Sequence, residues 1–131
     1  MPVLIYLWVA LGGAIGSVAR LWLGARVALL TGLGFPWGAI LANILGSLVI
    51  GFVAMLTGPN GRIVAPVEAQ AFVMVGLCGG FTTFSAFSLQ TFELARGGQL
   101  AYAAANIVLS VALCLTAVVL GHWLAALLSR T

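Results

Sequence analysis

Apolar residues fill the chain in four long runs, separated by short polar or turn-forming segments. The runs cover roughly residues 3–27, 37–56, 69–92 and 100–128. Each has about the length that crosses a bilayer as a helix, which takes some 20 apolar residues. Gly58-Pro59-Asn60-Gly61 is a turn signal that ends the second run. Trp8, Trp22, Trp37 and Trp123 fall near the predicted ends, where amphipathic rings favour the headgroup level. The pattern predicts an all-α integral membrane protein with one four-helix transmembrane domain over residues 1–131.

The third run contains an irregularity. No charged residue occurs from Ala69 to Phe92, yet the middle reads GGFTTFSAF, Gly79 to Phe87. Glycine costs about 1 kcal/mol relative to alanine inside a helix, so Gly79-Gly80 predicts a break there. A break frees backbone groups, which a membrane tolerates only where protein or a polar cavity satisfies them. Freed carbonyls bind cations; freed N–H groups and hydroxyls bind anions. The stretch is therefore a candidate ion site at mid-membrane. Phe84 and Phe87 are three apart and share a helix face. A phenyl ring has a positive edge, so two inward edges would line an anion path; ordinary aromatic packing is the alternative.

Composition sharpens the class. Hydrophobic residues make up 63% and charged residues 5% of the chain, and mean hydropathy is +1.24. Soluble domains carry about 25% charged residues, so this chain cannot cover a water-facing surface. The N-terminus lacks a basic region and Arg20 interrupts the apolar core, which argues against a cleaved signal peptide. Cys78 and Cys114 both lie in predicted spans and read as small packing groups rather than a disulfide. A net charge of +3 is too sparse to suggest nucleic acid. Arg62 and Arg130 would lie on one side of the membrane, Arg26 and Arg96 on the other, with Arg20 leaning to the second side. Glu68 and Glu93 divide one to each side. So weak a bias lets the chain insert both ways, which permits an antiparallel dimer without requiring one.

Several polar residues stand inside the spans. Asn43 needs partners in hydrocarbon, either a neighbouring helix or a permeating species. Tyr102, Asn106 and Ser110 recur at four-residue spacing, and all three can donate hydrogen bonds from one helix face. They form either a wet path or a seam with another helix. Arg20 either snorkels to the interface or draws anions into a vestibule. His122 beside Trp123 reads as interfacial, with no companion at metal-ligand spacing. Gly12, Gly16 and Gly24 on the first span, and Gly38, Ala42 and Gly46 on the second, are small-xxx-small rows. Such rows serve packing within a chain or between chains. No catalytic set, phosphate loop or dinucleotide fingerprint is present, which predicts a protein that is not an enzyme. The acids Glu68 and Glu93 lie at span ends, and a proton-coupled carrier needs an intramembrane acid.

Three segments together carry a resemblance: GGAIGSVAR (Gly12 to Arg20), LANILGSLVIG (Leu41 to Gly51) and GLCGGFTTFSAFS (Gly76 to Ser88). Over nearly its whole length the chain resembles the Fluc fluoride-channel family, also called CrcB. The resemblance implies a passive fluoride-selective channel in the cytoplasmic (inner) membrane of a prokaryote, conferring fluoride resistance. It further implies an antiparallel, dual-topology homodimer with two pores. By motif, Asn43, Phe84 and Phe87 would line each pore, Thr83 and Ser85 would assist, and Tyr102, Asn106 and Ser110 would continue the pathway. A structural Na⁺ on the dimer axis would be held by backbone carbonyls of Gly79 and Thr82 from both subunits.

The chain departs from the family pattern at three places. Ala86 stands where a second Thr is common, Gln90 where a Glu is frequent, and Asn106 where a Ser is common. Arg20 would then pair with Gln90 by a hydrogen bond, or with Glu93 one turn later. Two other classes compete with the channel. A small dual-topology multidrug transporter also has four spans, but its first-span acid is missing here. A membrane scaffold, in which Asn43 and the stripes only join helices, predicts no ion flux.

Overall fold

The computed structural model describes residues 2–130, and these are helical apart from short connections. Helix α1 is Pro2–Thr31 and α2 is Trp37–Thr57. The third span begins with α3, Val67–Gln70, widens into a π-helical stretch, Ala71–Cys78, and ends its first half with α4, Gly79–Phe81. Its second half is α5, Phe84–Arg96, followed by α6, Leu100–Ser129. Among the described residues, four segments are long and apolar enough to cross a membrane: Val3–Thr31, Trp37–Thr57, Val67–Arg96 and Leu100–Ser129.

The limits of these spans have local causes. Helix α1 continues past Val27 because nothing in residues 28–31 breaks it before Gly32, whose φ is +79°. Gly32 N–H donates to Ala28 O at 2.8 Å, closing the last turn as a left-handed glycine does. Trp22 therefore lies well inside the helix, not near its end, and Arg26 stacks over its ring at 5.5 Å. Pro36 and Pro66 precede α2 and α3, where a missing N–H costs no hydrogen bond. Between α2 and α3, Arg62 Nη1 donates to Leu128 O at 3.1 Å and ties the connection to the last turn of α6.

Small residues set the packing. Gly12 and Gly16 of α1 lie directly against the π-helical stretch and α4; a methyl on Gly16 would collide with Leu77 O. In the second row, Gly38 faces Gly24, Ala42 is fully buried, and Gly46 meets the Thr82 methyl. Both small-residue rows thus serve packing within the chain. A further seam joins α2 to α6, where Gly51 sits on Val118 O and Gly121 on Leu48 O. Bringing backbones this close is how helices gain dispersion contact when lipid offers no hydrophobic contrast. Among the described residues the buried apolar set is mostly small-sided, with Ala42, Ala103, Ala117 and Ala125 beside Cys78 and the single large side chain Ile40; Asn106 is enclosed with them.

Candidate functional site

The third span changes conformation at two residues, and the site is built around them. Thr82 has φ −96°, ψ 156° and Thr83 has φ −155°, ψ 120°, both extended. Gly79 itself is helical, at φ −64°, ψ −38°. The glycine pair is thus inside helix, contrary to the break expected there, and the extended residues follow it. Thr82 keeps its N–H and hydroxyl on Cys78 O, at 2.9 and 2.7 Å, and what holds Thr83 is Asn43 of α2. Its Oδ1 accepts from Thr83 N–H at 2.8 Å, and its Nδ2 donates to Thr83 O at 3.3 Å. One amide side chain satisfies both polar groups of an extended residue, as a neighbouring strand would.

From Thr83 the chain re-enters helix. The Thr83 hydroxyl caps α5 by accepting from Ala86 N–H at 3.1 Å and lies 3.1 Å from Ser85 Oγ. Ser, Thr, Asp and Asn favour this position because they satisfy an otherwise bare helical donor. The α5 N-terminus also gathers partial positive charge.

Beside this point lies a cavity of about 380 Å³. Asn43, Gly79, Thr82, Thr83, Phe84, Phe87 and Ser110 contribute to its wall. The Phe84 and Phe87 ring centroids are 5.3 Å apart, with planes inclined at 50°. Phe84 is 78% exposed on the single chain, so its ring is presented outward rather than packed away.

The polar stripe of α6 divides. Asn106 and Ser110 are buried and linked, Ser110 Oγ donating to Asn106 Oδ1 at 3.2 Å. Asn106 Nδ2 donates to Thr91 Oγ1 at 2.8 Å, and Thr91 Oγ1 donates to Phe87 O at 2.8 Å. Tyr102 stands apart from that line. Half exposed, it packs edge-on against Phe35 with centroids 5.6 Å apart. Eight residues of helix separate Tyr102 from Ser110, about 12 Å at the usual rise.

Arg20 makes neither partnership expected of it. Its Nε donates to Gly80 O at 3.2 Å, so the cation meets a carbonyl near the end of α4. Gln90 instead faces a second cavity of about 580 Å³, shared with Glu93 and Gln99 beneath the α1–α2 connection. Gln90 Oε1 is buried there without a hydrogen-bond partner among the described residues. No group of three or more His, Cys, Asp or Glu residues that could hold a metal occurs among the described residues.

The family model for CrcB-like proteins, described as Camphor Resistance (CrcB), matches residues 7–122. The chain belongs to the CrcB family. A Rhodospirillum rubrum protein named fluoride-specific ion channel FluC is 55% identical over 125 residues, 95% of this chain and 97% of its own. A Methylocella silvestris protein of the same name is 53% identical over 125 residues, 95% of each chain. One from Opitutus terrae, also so named, is 52% identical over 118 residues, 90% of this chain and 89% of its own.

In this CrcB chain the structure brings Asn43, Thr83, Phe84, Phe87 and Ser110 to one cavity; Ser85 is outside its lining and hydrogen-bonded to Thr83, and Asn106 lies one hydrogen bond behind Ser110. Sequence reasoning missed Thr91 and the Gly80 carbonyl. The available signal for Thr91 was its place four residues after Phe87, one turn along the same helix face. Nothing in the sequence marked Gly80 as the partner of Arg20.

Proposed function

We propose that the chain forms a fluoride-selective channel that exports fluoride passively across the cytoplasmic membrane of a bacterium. The observation that carries this reading is the convergence of Asn43, Phe84, Phe87 and Ser110 on one cavity beside the extended residues of the third span. Relatives about half identical over nearly the whole chain bear the name of a fluoride-specific channel. Fluoride is small and tightly hydrated, so a path must replace its water with donors. Here the donors are the one hydroxyl hydrogen left free by the Thr83–Ser85 pair, the second Nδ2 hydrogen of Asn43, the free N–H groups of the first α5 turn, the ring edges of Phe84 and Phe87, and the Ser110 hydroxyl when an anion draws its hydrogen from Asn106. None carries a full charge, which suits an ion that must leave as readily as it binds.

The assembly in this reading is an antiparallel homodimer with two pores. A single chain would turn a cavity bearing an amide and hydroxyls towards lipid, where unsatisfied polar groups are costly, and a second copy covers it. Near the dimer axis, the carbonyls of Gly79 and Thr82 would hold a structural Na⁺. Thr83 N–H, which would bond Gly79 O in a continuous helix, is directed to Asn43, so Gly79 O stands outside the helical ladder. Neutral oxygens of this kind suit a hard monovalent cation. Bound there, it would neutralise the clustered carbonyls and fix the turn between α4 and α5. Arg20 occupies the adjacent Gly80 O and keeps positive charge near the path.

Growth of a bacterium lacking its own fluoride exporter tests export. Expression of this chain is expected to restore growth in millimolar-range fluoride, and an Asn43→Ala variant to fail. Equal fluoride sensitivity with and without the folded chain would contradict the reading.

A further inference from the structure

A line of hydroxyl and amide groups runs from the cavity wall inward between α5 and α6. Ser110 Oγ, Asn106 Oδ1 and Nδ2, Thr91 Oγ1 and Phe87 O follow one another at 3.2, 2.8 and 2.8 Å. The chemistry of its inner end fixes its direction. A carbonyl oxygen only accepts, so the single Thr91 hydroxyl hydrogen is committed to Phe87 O. Thr91 Oγ1 can then only accept from Asn106, which puts the amide nitrogen on the α5 side. Oδ1 is turned to α6, and the Ser110 hydroxyl must donate to it. Asn106 is 1% exposed, so water does not stand in for either partner.

We propose that Thr91 is a positioning residue for permeation: it fixes the Asn106 amide and, through it, the direction of the Ser110 hydroxyl hydrogen. The inference rests on the channel reading. With the amide held this way, Ser110 presents oxygen lone pairs to the cavity until an anion draws the hydrogen out. Drawing it out strands the buried Asn106 Oδ1, which keeps the anion weakly held and quick to leave. A flipped amide would supply Ser110 with a donor from Nδ2 and release its hydrogen to the cavity permanently. The anion would then be held longer and pass more slowly. Thr91 touches neither the cavity nor the ion in this scheme; its effect travels through Asn106.

Fluoride efflux from liposomes bearing Thr91→Val, Thr91→Ser and Asn106→Ser variants tests this. Thr91→Val keeps the shape and loses the hydroxyl, and is expected to slow efflux about tenfold, the worth of one buried hydrogen bond. Thr91→Ser keeps the hydroxyl and should retain the wild-type rate. In an Asn106→Ser background, Thr91→Val should cause no further change, since no amide remains to be held. Should Thr91→Val not yield folded protein, Thr91→Ala carries the same prediction. A packing role predicts the reverse order, with Thr91→Val normal and Thr91→Ser slow, and that order or equal rates would overturn the inference. If the wild type itself passes no fluoride, the channel reading fails and the side-chain amide ¹⁵N resonance of Asn106 decides instead. Displacement of that signal by Thr91→Val but not by Thr91→Ser supports the positioning role; an unmoved signal overturns it.

Discussion

Asn43 offers Thr83 one acceptor and one donor, matching the two polar groups of an extended peptide. Asn43→Ala would strand the Thr83 N–H inside the membrane, a cost of about 1–3 kcal/mol. A lower melting temperature in detergent and loss of fluoride flux are the expected outcomes. Phe84→Ile and Phe87→Ile separate pore chemistry from stability. Each keeps an apolar side chain and removes a ring edge. Unfolding free energy should change by less than about 1.5 kcal/mol at the exposed Phe84, while fluoride efflux falls at least about tenfold at either position. Unchanged efflux in both would remove the rings from the path. Asn43 as an intramembrane amide, and the spacing of the two phenylalanines, were legible in the sequence. The target of Asn43 was not, because an amide forty residues from its partner carries no periodic signal. Asn106 was legible as one of a stripe, but Thr91, its partner across helices, was not.

At the level of elements, the turn between α4 and α5 is set by tertiary contacts more than by glycine. Gly79-Gly80 marks the right region, since it lowers helix propensity, yet both residues remain helical. The extended conformation falls on Thr82, whose N–H still bonds Cys78 O, and on Thr83, where Asn43 and the Thr83 cap replace helical hydrogen bonds. Gly80 serves close approach, since a methyl there would press on Gly13 O, whereas a methyl on Gly79 would meet nothing within 4 Å. Thr83→Val keeps the β-branched shape but removes the cap, and is expected to destabilise the protein by about 1 kcal/mol, measurable by denaturant or thermal unfolding. The α2–α6 seam should be less forgiving. Gly121→Val would drive a side chain into Leu48 O and cost about 1–3 kcal/mol by overpacking, seen as reduced yield of folded protein on gel filtration. The four spans were legible because apolar runs of this length have one physical outlet, a membrane. The seam was not legible, because Gly51 and Gly121 were outside the rows singled out and nothing local says which helix a glycine meets.

Across the whole molecule, the near balance of arginines remains consistent with insertion in both directions. Arg62 on the α2–α3 connection and Arg96 at the end of α5 fall at span ends, where such charges set orientation. A cysteine placed at Asn60, on the α2–α3 connection, should be labelled by an impermeant thiol reagent from both faces of the membrane; labelling from one face alone would rule out dual insertion. Fluoride conduction is the claim on which the remaining proposals depend. The measurement that tests it most directly is efflux from liposomes containing the pure, folded protein, followed in parallel for fluoride and chloride. Rapid fluoride loss with negligible chloride loss is the predicted result. No fluoride loss, or equal loss of both ions, would contradict it.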